Sequence, residues 1–401
     1  MKQIQRIAGG LMTLLLLFGA GWFLIDLLQS RTEIEPAQQP AMTSEVVRAV
    51  PTPISTSTLD WETATLDQIQ FGEPKVVFTH NDHIRIYDWL PDNRRLLLEI
   101  GDPKKTDVEE VGERYRIVTL DVETGEIVEY GRRPNLPHPP VWLETVDGVG
   151  FLYWNAWKGE TPEVRLGFSD GKMETVSYGE TQLAVEPKQK TLLMLKAETT
   201  GNRLQMVDVT QPKPTPSPVN TIDLPWGKLR VDPTGRWYAS FWGGLSKKPL
   251  YLANRDEGTV TKIDFTPWWP IDAAWSPDGD KIALILGTGD MLLSKSKLAM
   301  LELKTIKWHF IDLPAQFVTG IEWAPKRYLL AKGTPAGSIE MSDFHKFWLV
   351  DTTNGNFRET DYFTPTMVTE DIFWSWSDKG DLTWLDGDRI IVTHITVEEG
   401  Q

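Results

Sequence analysis

The chain of 401 residues contains no cysteine. That excludes disulfide staples, thiol nucleophiles and cysteine-ligated zinc, and it leaves either redox compartment open. Positive charge is in deficit: 41 Lys and Arg stand against 56 Asp and Glu, a net charge of -15. Binding to nucleic acid needs a basic footprint that neutralises phosphates, so this balance argues against such a partner. Short basic pairs such as Lys104–Lys105 and Lys247–Lys248 read as solvated loop tips. Histidine is scarce, with six in all. There is no G-x-S-x-G nucleophile elbow and no pair of histidines at helical spacing. His80 and His83 form an H-x-x-H, but both flank a strand and read as structural. An acidic calcium loop of the Asp-x-Asp-x-Asp-Gly type is missing too. The sequence therefore names no catalytic residue, and no metal or cofactor is expected.

What is present begins with an apolar run from Ile7 to Leu28, broken only by Asp26. It has about the 20 residues a helix needs to cross a bilayer. The run continues through Trp22 to Ile25 beyond the small residues Gly19, Ala20 and Gly21, which favours an uncleaved transmembrane helix over a cleaved signal peptide. Lys2 and Arg6 precede it and Glu33 and Glu35 follow, so the positive-inside rule leaves the N-terminus cytoplasmic and the remainder periplasmic or extracellular. Residues 29–58 carry Pro36, Pro40, Pro51 and Pro53 among small polar residues and read as a disordered linker. Residues 59–401 form the folded domain.

That domain repeats. "WSPDGDKIALI", from Trp275, has counterparts in "WLPDNRRLLLEI" from Trp89, "ETVDGVGFLYW" from Glu144, "VEPKQKTLLML" from Val185, "VDPTGRWYASFW" from Val231, "WAPKRYLLAKG" from Trp323 and "WSDKGDLTWL" from Trp376. The starts lie about 40 to 55 residues apart, close to the period of a propeller blade. A second hairpin follows in most units, as in "YRIVTLDVETGEIVEYG" (115–131) and "FWLVDTTNGNFRETDYF" (347–363). Asp121, Gly125, Asp278 and Gly279 are accordingly read as turn formers. The expected fold is all-β: a seven-bladed β-propeller of four-stranded antiparallel blades, preceded by the transmembrane helix. The segment "EPKVVFTH" (73–80) is expected to supply the outer strand of the last blade and to latch the ring, which removes two open sheet edges.

The W-x-P-D-G start followed by a D-x-x-T-G hairpin resembles the TolB-like propellers and the WD40-like propeller of prolyl oligopeptidase-type enzymes. The likeness covers about residues 80–395. The second and third units lack the aromatic, and no hydrolase domain follows. What the resemblance implies is an architecture that serves many partners.

Tight glycine turns fall on one face of such a ring, and long proline-containing loops on the other. Trp157, Trp226, Trp268 and Trp269 lie in those loops, with His138 and Phe317, and form the expected partner site. Adjacent loop residues point in different directions, so Trp268 and Trp269 are not expected to be buried together. Trp89, Trp275, Trp323, Trp374 and Trp376 are expected in the core. Two functions follow: a membrane-anchored, extracytoplasmic module that binds a protein partner, or a carbohydrate-binding or glycoside-cleaving propeller in which Trp stacks on sugars beside paired carboxylates.

Overall fold

A computed structural model of the chain describes residues 61–397, apart from 62, 103–113, 134–139, 146–147, 156–162, 179–180, 187–190, 199–200, 209–216, 219–221, 244–246, 290–294, 325, 338–345 and 361–373. A 3-10 turn, Leu66–Gln68, leads into β1 (Ile69–Phe71) and β2 (Lys75–Thr79). Blade one is β3 (Ile84–Trp89), β4 (Arg95–Gly101), β5 (Tyr115–Asp121) and β6 (Ile127–Arg133). Blade two is β7 (Val141–Thr145), β8 (Gly148–Asn155), β9 (Glu163–Phe168) and β10 (Met173–Tyr178). Blade three is β11 (Thr181–Glu186), β12 (Thr191–Glu198), β13 (Gly201–Asp208) and β14 (Ser217–Pro218). Blade four is β15 (Lys228–Val231), β16 (Trp237–Phe241), β17 (Leu250–Asn254) and β18 (Thr259–Ile263). Blade five is β19 (Trp269–Trp275), β20 (Lys281–Thr288), β21 (Lys295–Glu302) and β22 (Lys307–Ile311). Blade six is β23 (Ala315–Trp323), β24 (Tyr328–Pro335), β25 (Lys346–Asp351) and β26 (Phe357–Thr360). The chain ends in β27 (Trp374–Trp376), β28 (Asp381–Asp386) and β29 (Arg389–Val397).

Within each blade the strands pair antiparallel in chain order, and the first strand of one sheet lies beside the first strand of the next, with β27 beside β3. The result is a β-propeller. Each blade is covered on both faces by its neighbours, which is why its second strand carries an unbroken apolar run: Leu96 to Leu98 in β4, Ile282 to Leu286 in β20 and Tyr328 to Ala331 in β24 are all buried. The rim strand β18, by contrast, exposes four of its five residues. Core clusters form between sheets: Phe241, Phe265, Trp275 and Leu284 join blades four and five, and Ile285, Trp323, Leu329 and Trp348 join five and six. Trp89, Trp275, Trp323, Trp374 and Trp376 are buried as expected. Two of them also tie neighbours together, because Trp323 Nε1 donates to the Ala274 carbonyl at 2.9 Å and Trp89 Nε1 to the Ser375 carbonyl at 3.2 Å.

The expectation of a seven-bladed propeller of four-stranded blades is corrected: the described residues form six such blades. Six sheets are four-stranded, and the closing sheet has five strands drawn from both ends of the described chain. The cause is the length of β29. Its Arg389–Val392 half pairs with β2 and its Ile395–Val397 half with β1, so two short strands lie end to end along one edge. Residues 75–79 therefore latch the ring as the sequence suggested, and β1 extends the latch. Between them, the Gly72 N–H donates to the His394 carbonyl at 2.9 Å, and a Cβ at Gly72 would sit 2.7 Å from that oxygen, so only glycine fits the approach.

The expected transmembrane helix is not part of this fold. Among the described residues no helix is long and apolar enough to cross a membrane, and residues 7–28, with the expected linker 29–58, lie outside the described residues.

Candidate functional site

Antiparallel order places the first-to-second and third-to-fourth turns of every blade at one end of the ring. The second-to-third connections and the crossings between blades lie at the other. On the turn face, the expected turn formers act as such. Asp121 Oδ1 accepts the N–H groups of Glu123 at 3.0 Å and Thr124 at 2.9 Å, and the Ser276 hydroxyl donates to Asp278 at 2.5 Å. Gly125 and Gly279 take φ of 75° and 73°, the left-handed region that a side chain disfavours. His80 Nε2 meets the Gly101 carbonyl at 2.9 Å and His83 Nε2 meets Glu99 at 3.2 Å, so both are held by structural partners. Among the described residues no three His, Asp or Glu side chains are grouped to hold a metal.

The turn face carries a cleft of about 620 Å³ where the turns of blades five and six meet the closing sheet. Asp278, Lys281, Arg327 and Asp378 line it, over the edges of Trp323 and Trp376. Below lies the axis, where inner strands converge. Asp88 and Glu322 each occupy the position before the tryptophan that ends an inner strand, one on β3 and one on β23. Ser375, on β27 between those two strands, donates to Asp88 at 3.2 Å. Asp88 is exposed to solvent, while protein atoms packed around its carboxyl still desolvate it. Burial pushes its carboxyl up to about 6, against the lowering effect of the Trp89 N–H and the Ser375 hydroxyl. Burial likewise pushes Glu322 up to about 8, with Asp88 and Asp272 adding to the rise and Arg230 opposing it. The sequence pattern did not single out these carboxyls.

At the opposite end, blade four presents an aromatic surface. Lys228 pairs with Phe241 across β15 and β16, so the Trp226–Gly227 segment runs alongside Trp242–Gly243. The approach is close: a Cβ on Gly227 would lie 2.5 Å from the Phe241 carbonyl oxygen, and one on Gly243 would lie 3.1 Å from Lys228 Cε. Trp242 is 45 % exposed, and it is the one exposed tryptophan among the described residues. Lys248 Nζ stands 3.5 Å above its ring centroid. Lys247 Nζ lies 5.8 Å from the Trp269 ring and Lys228 Nζ 5.9 Å from that of Phe241. Lys247 and Lys248 are thus exposed, but they are seated over aromatic rings rather than free at a loop tip. Asp272 is the carboxylate that faces Lys228, at 3.7 Å, and Arg230, at 3.6 Å.

Of the residues expected at a partner site, Trp226 and Trp268 are half-buried on this end, Trp268 packing edge-on against Phe310 at 5.0 Å. Trp269 is 2 % exposed and belongs to the core. It opens β19, paired with Gly287 of β20. Phe317 is 8 % exposed, because β23 begins at Ala315 and takes in what read as loop. Trp157 and His138 lie outside the described residues. Trp242, the last residue of the repeat that starts at Val231, was not singled out from the sequence; β16 stops just before it, at Phe241.

Comparison with known proteins matches the architecture. Oligogalacturonate lyase in complex with manganese is 12 % identical over 82 % of this chain and 98 % of its own, with a TM-score of 0.53. The β-propeller domain of Cps50 (Swd1) from Myceliophteria thermophila is 12 % identical over 81 % of this chain and 100 % of its own, with a TM-score of 0.50. TolB from Acinetobacter baumannii is 13 % identical over 77 % of this chain, with a TM-score of 0.43, and the match spans 66 % of TolB's own length, less than two thirds. Structural neighbours thus include TolB-like and WD40-like propellers, and at these identities the likeness is one of fold. No family model matches the sequence, and no curated protein matches it.

Proposed function

We infer that the protein is a binding module, a rigid propeller that recognises another protein through the end carrying the connections between blades. The observation that carries this reading is Trp242, 45 % exposed, with the half-buried Trp226 on the segment that runs alongside it. An exposed indole is unfavourable in water unless something covers it, and tryptophans on a rigid support dominate the energetics of protein interfaces. The test uses the full chain, immobilised, with retention of a protein from its own cells as the readout. Trp242→Ala is expected to weaken retention by about 2 kcal/mol or more, roughly thirtyfold. Unchanged retention in both Trp242→Ala and Trp226→Ala overturns the reading. An extracytoplasmic location belongs to this proposal and is supported by the sequence of residues 2–35 alone; fractionation of the cells tests it.

One observation favours a second reading, carbohydrate cleavage: Asp88 and Glu322 are two carboxyls whose surroundings set them apart, at about 6 and about 8. Such a split suits a general acid beside a carboxylate partner. Release of reducing ends from oligosaccharides, lost in Glu322→Gln, would support it, and no release from neutral or acidic oligosaccharides removes it.

A further inference from the structure

We propose that the cleft on the turn face is a second binding site, for a ligand that carries at least two cationic groups on a slender apolar spacer. It is independent of the Trp242 surface at the other end of the ring. The cleft, about 620 Å³, is walled by the turns of three successive sheets: Ser276 to Asp278 with Lys281 in blade five, Ala324, Lys326 and Arg327 in blade six, and Ser377 and Asp378 in the closing sheet. Such a volume suits a small molecule or a few side chains. The blade six turn is shorter than that of blade five: the Ala324 N–H donates to the Tyr328 carbonyl, whereas the Ser276 N–H reaches on to that of Lys281. Asp278 and Asp378 belong to the sheets on either side of it. The charges of the lining are unequally engaged. Lys281 pairs with Glu302 at 3.6 Å and Arg327 with Asp351 at 3.2 Å, and Lys326 is engaged as well. Among the described residues neither Asp278 nor Asp378 forms an ion pair. Asp278 Oδ1 accepts the Ser276 hydroxyl at 2.5 Å and the Asp280 N–H at 3.1 Å, bonds that shape its own turn and leave Oδ2 for another donor. Asp378 is held by its N–H, which donates to Asn93 Oδ1 at 2.7 Å, and its carboxylate accepts nothing among the described residues. The wall also holds apolar surface: Trp323 and Trp376, each 8 % exposed, with Pro277 and Ala324. A spacer of methylenes loses water against these side chains while its cationic ends reach the carboxylates. Trp89 and Trp323 each tie their indole N–H to the preceding sheet, but Trp376 Nε1 has no such partner among the described residues, so its indole does not lock the joint where the cleft lies. An anion fits less well, because Lys281 and Arg327 already face carboxylates. A free aliphatic polyamine and a stretch of protein with two arginines share the required chemistry.

The test titrates the purified full chain with spermidine and with the capped peptide Gly-Arg-Gly-Gly-Arg-Gly, beside butylamine and the glutamate counterpart of the peptide. Saturable binding is expected for spermidine, the arginine peptide or both, weakening as salt rises. It should be at least tenfold tighter than that of butylamine and at least tenfold weaker in Asp278→Asn/Asp378→Asn. Asparagine keeps the oxygen that caps the blade five turn, so the melting temperature of this variant should match that of the wild type. Asp378→Asn alone removes a charge that holds no turn together, and it should already weaken binding several-fold, whereas Trp242→Ala should bind as the wild type does. Tighter binding of spermidine identifies the ligand as a polyamine and tighter binding of the arginine peptide as a protein segment; either supports the site. Failure of both to bind overturns the proposal, as does equal binding by the double variant or by butylamine. Preference for the glutamate peptide overturns it too, since the lysines and arginine of the lining would then govern the cleft.

Discussion

Trp268 and Trp269 are neighbours in sequence and differ in environment, and the difference sets what each change should do. Trp269 is 2 % exposed and fills space in the core, so Trp269→Ala leaves a cavity and is expected to cost about 3–5 kcal/mol of stability. Trp242, at 45 % exposure, fills no such space, and Trp242→Ala should leave the melting temperature close to that of the wild type while weakening partner binding. Thermal melts of the two variants, each paired with a binding measurement, check this, and a large loss of stability in Trp242→Ala would count against its surface role. The repeated tryptophans were legible because each sits at a fixed offset from a turn: Trp275 precedes the Ser276–Gly279 turn, where Gly279 N–H bonds back to the Ser276 carbonyl at 2.9 Å. Trp242 was not legible, since it extends a run of strand-forming residues, and only the end of β16 at Phe241 turns it outward. The seat of Lys248 over its ring depends on how the β16–β17 loop returns, which no local pattern encodes.

At the scale of elements, the segment from Trp61 to Thr79 decides whether the ring closes. Trp61 packs in the cluster formed by blade six and the closing sheet, 5.9 Å from Tyr328 and 6.1 Å from Trp376 between ring centroids. The Ala64 carbonyl accepts from Arg327 at 2.9 Å and also from the Tyr328 hydroxyl, and the Ile69 carbonyl accepts from Arg358 at 2.5 Å. This strap buries backbone acceptors and an indole before β1 and β2 add their ladder bonds. A chain beginning at residue 59 is therefore expected to unfold in one transition at the wild-type temperature. One beginning at residue 80 should lose that cooperativity, because β29 is left as an open edge and the blade six cluster loses a wall. Calorimetry of the two truncations separates the outcomes, and equal transitions would show that the ring closes without the strap. The need for β2 could be read from the sequence by counting strands, since the last hairpin falls one short. β1 could not: Ile69, Gln70 and Phe71 make too short a run to stand out, and their pairing with β29 follows from the length of that strand.

At the scale of the whole molecule, the axis brings together residues that are far apart in the chain. Asp88 on β3 and Glu322 on β23 interact only because the ring closes through β27 between them, so no local motif could have revealed the pair. The blades themselves were legible, since each is a local unit of four strands; the carboxyl pair is a product of their closure. Its charges give the fold a pH dependence. Glu322 is raised from 4.5 to about 8, chiefly by burial, with Asp88 and Asp272 adding to the rise and Arg230 opposing it. Between those two values the folded state holds a proton that the unfolded chain has released, so stability falls as pH rises through this window. The contribution is fully present below the ordinary value and lost by the time pH passes the raised one. Asp88, raised from 3.8 to about 6, acts in the same direction over a lower and narrower window. The wild type is therefore expected to lose melting temperature between about pH 5 and about pH 8 more steeply than Glu322→Gln, whose amide carries no charge at any of these values. The variant should match the wild type near pH 5 and exceed it increasingly as pH rises, by a few degrees at about pH 8. Melting curves of both proteins across that range check the assignment, and parallel slopes would mean that Glu322 is ionised in the folded ring.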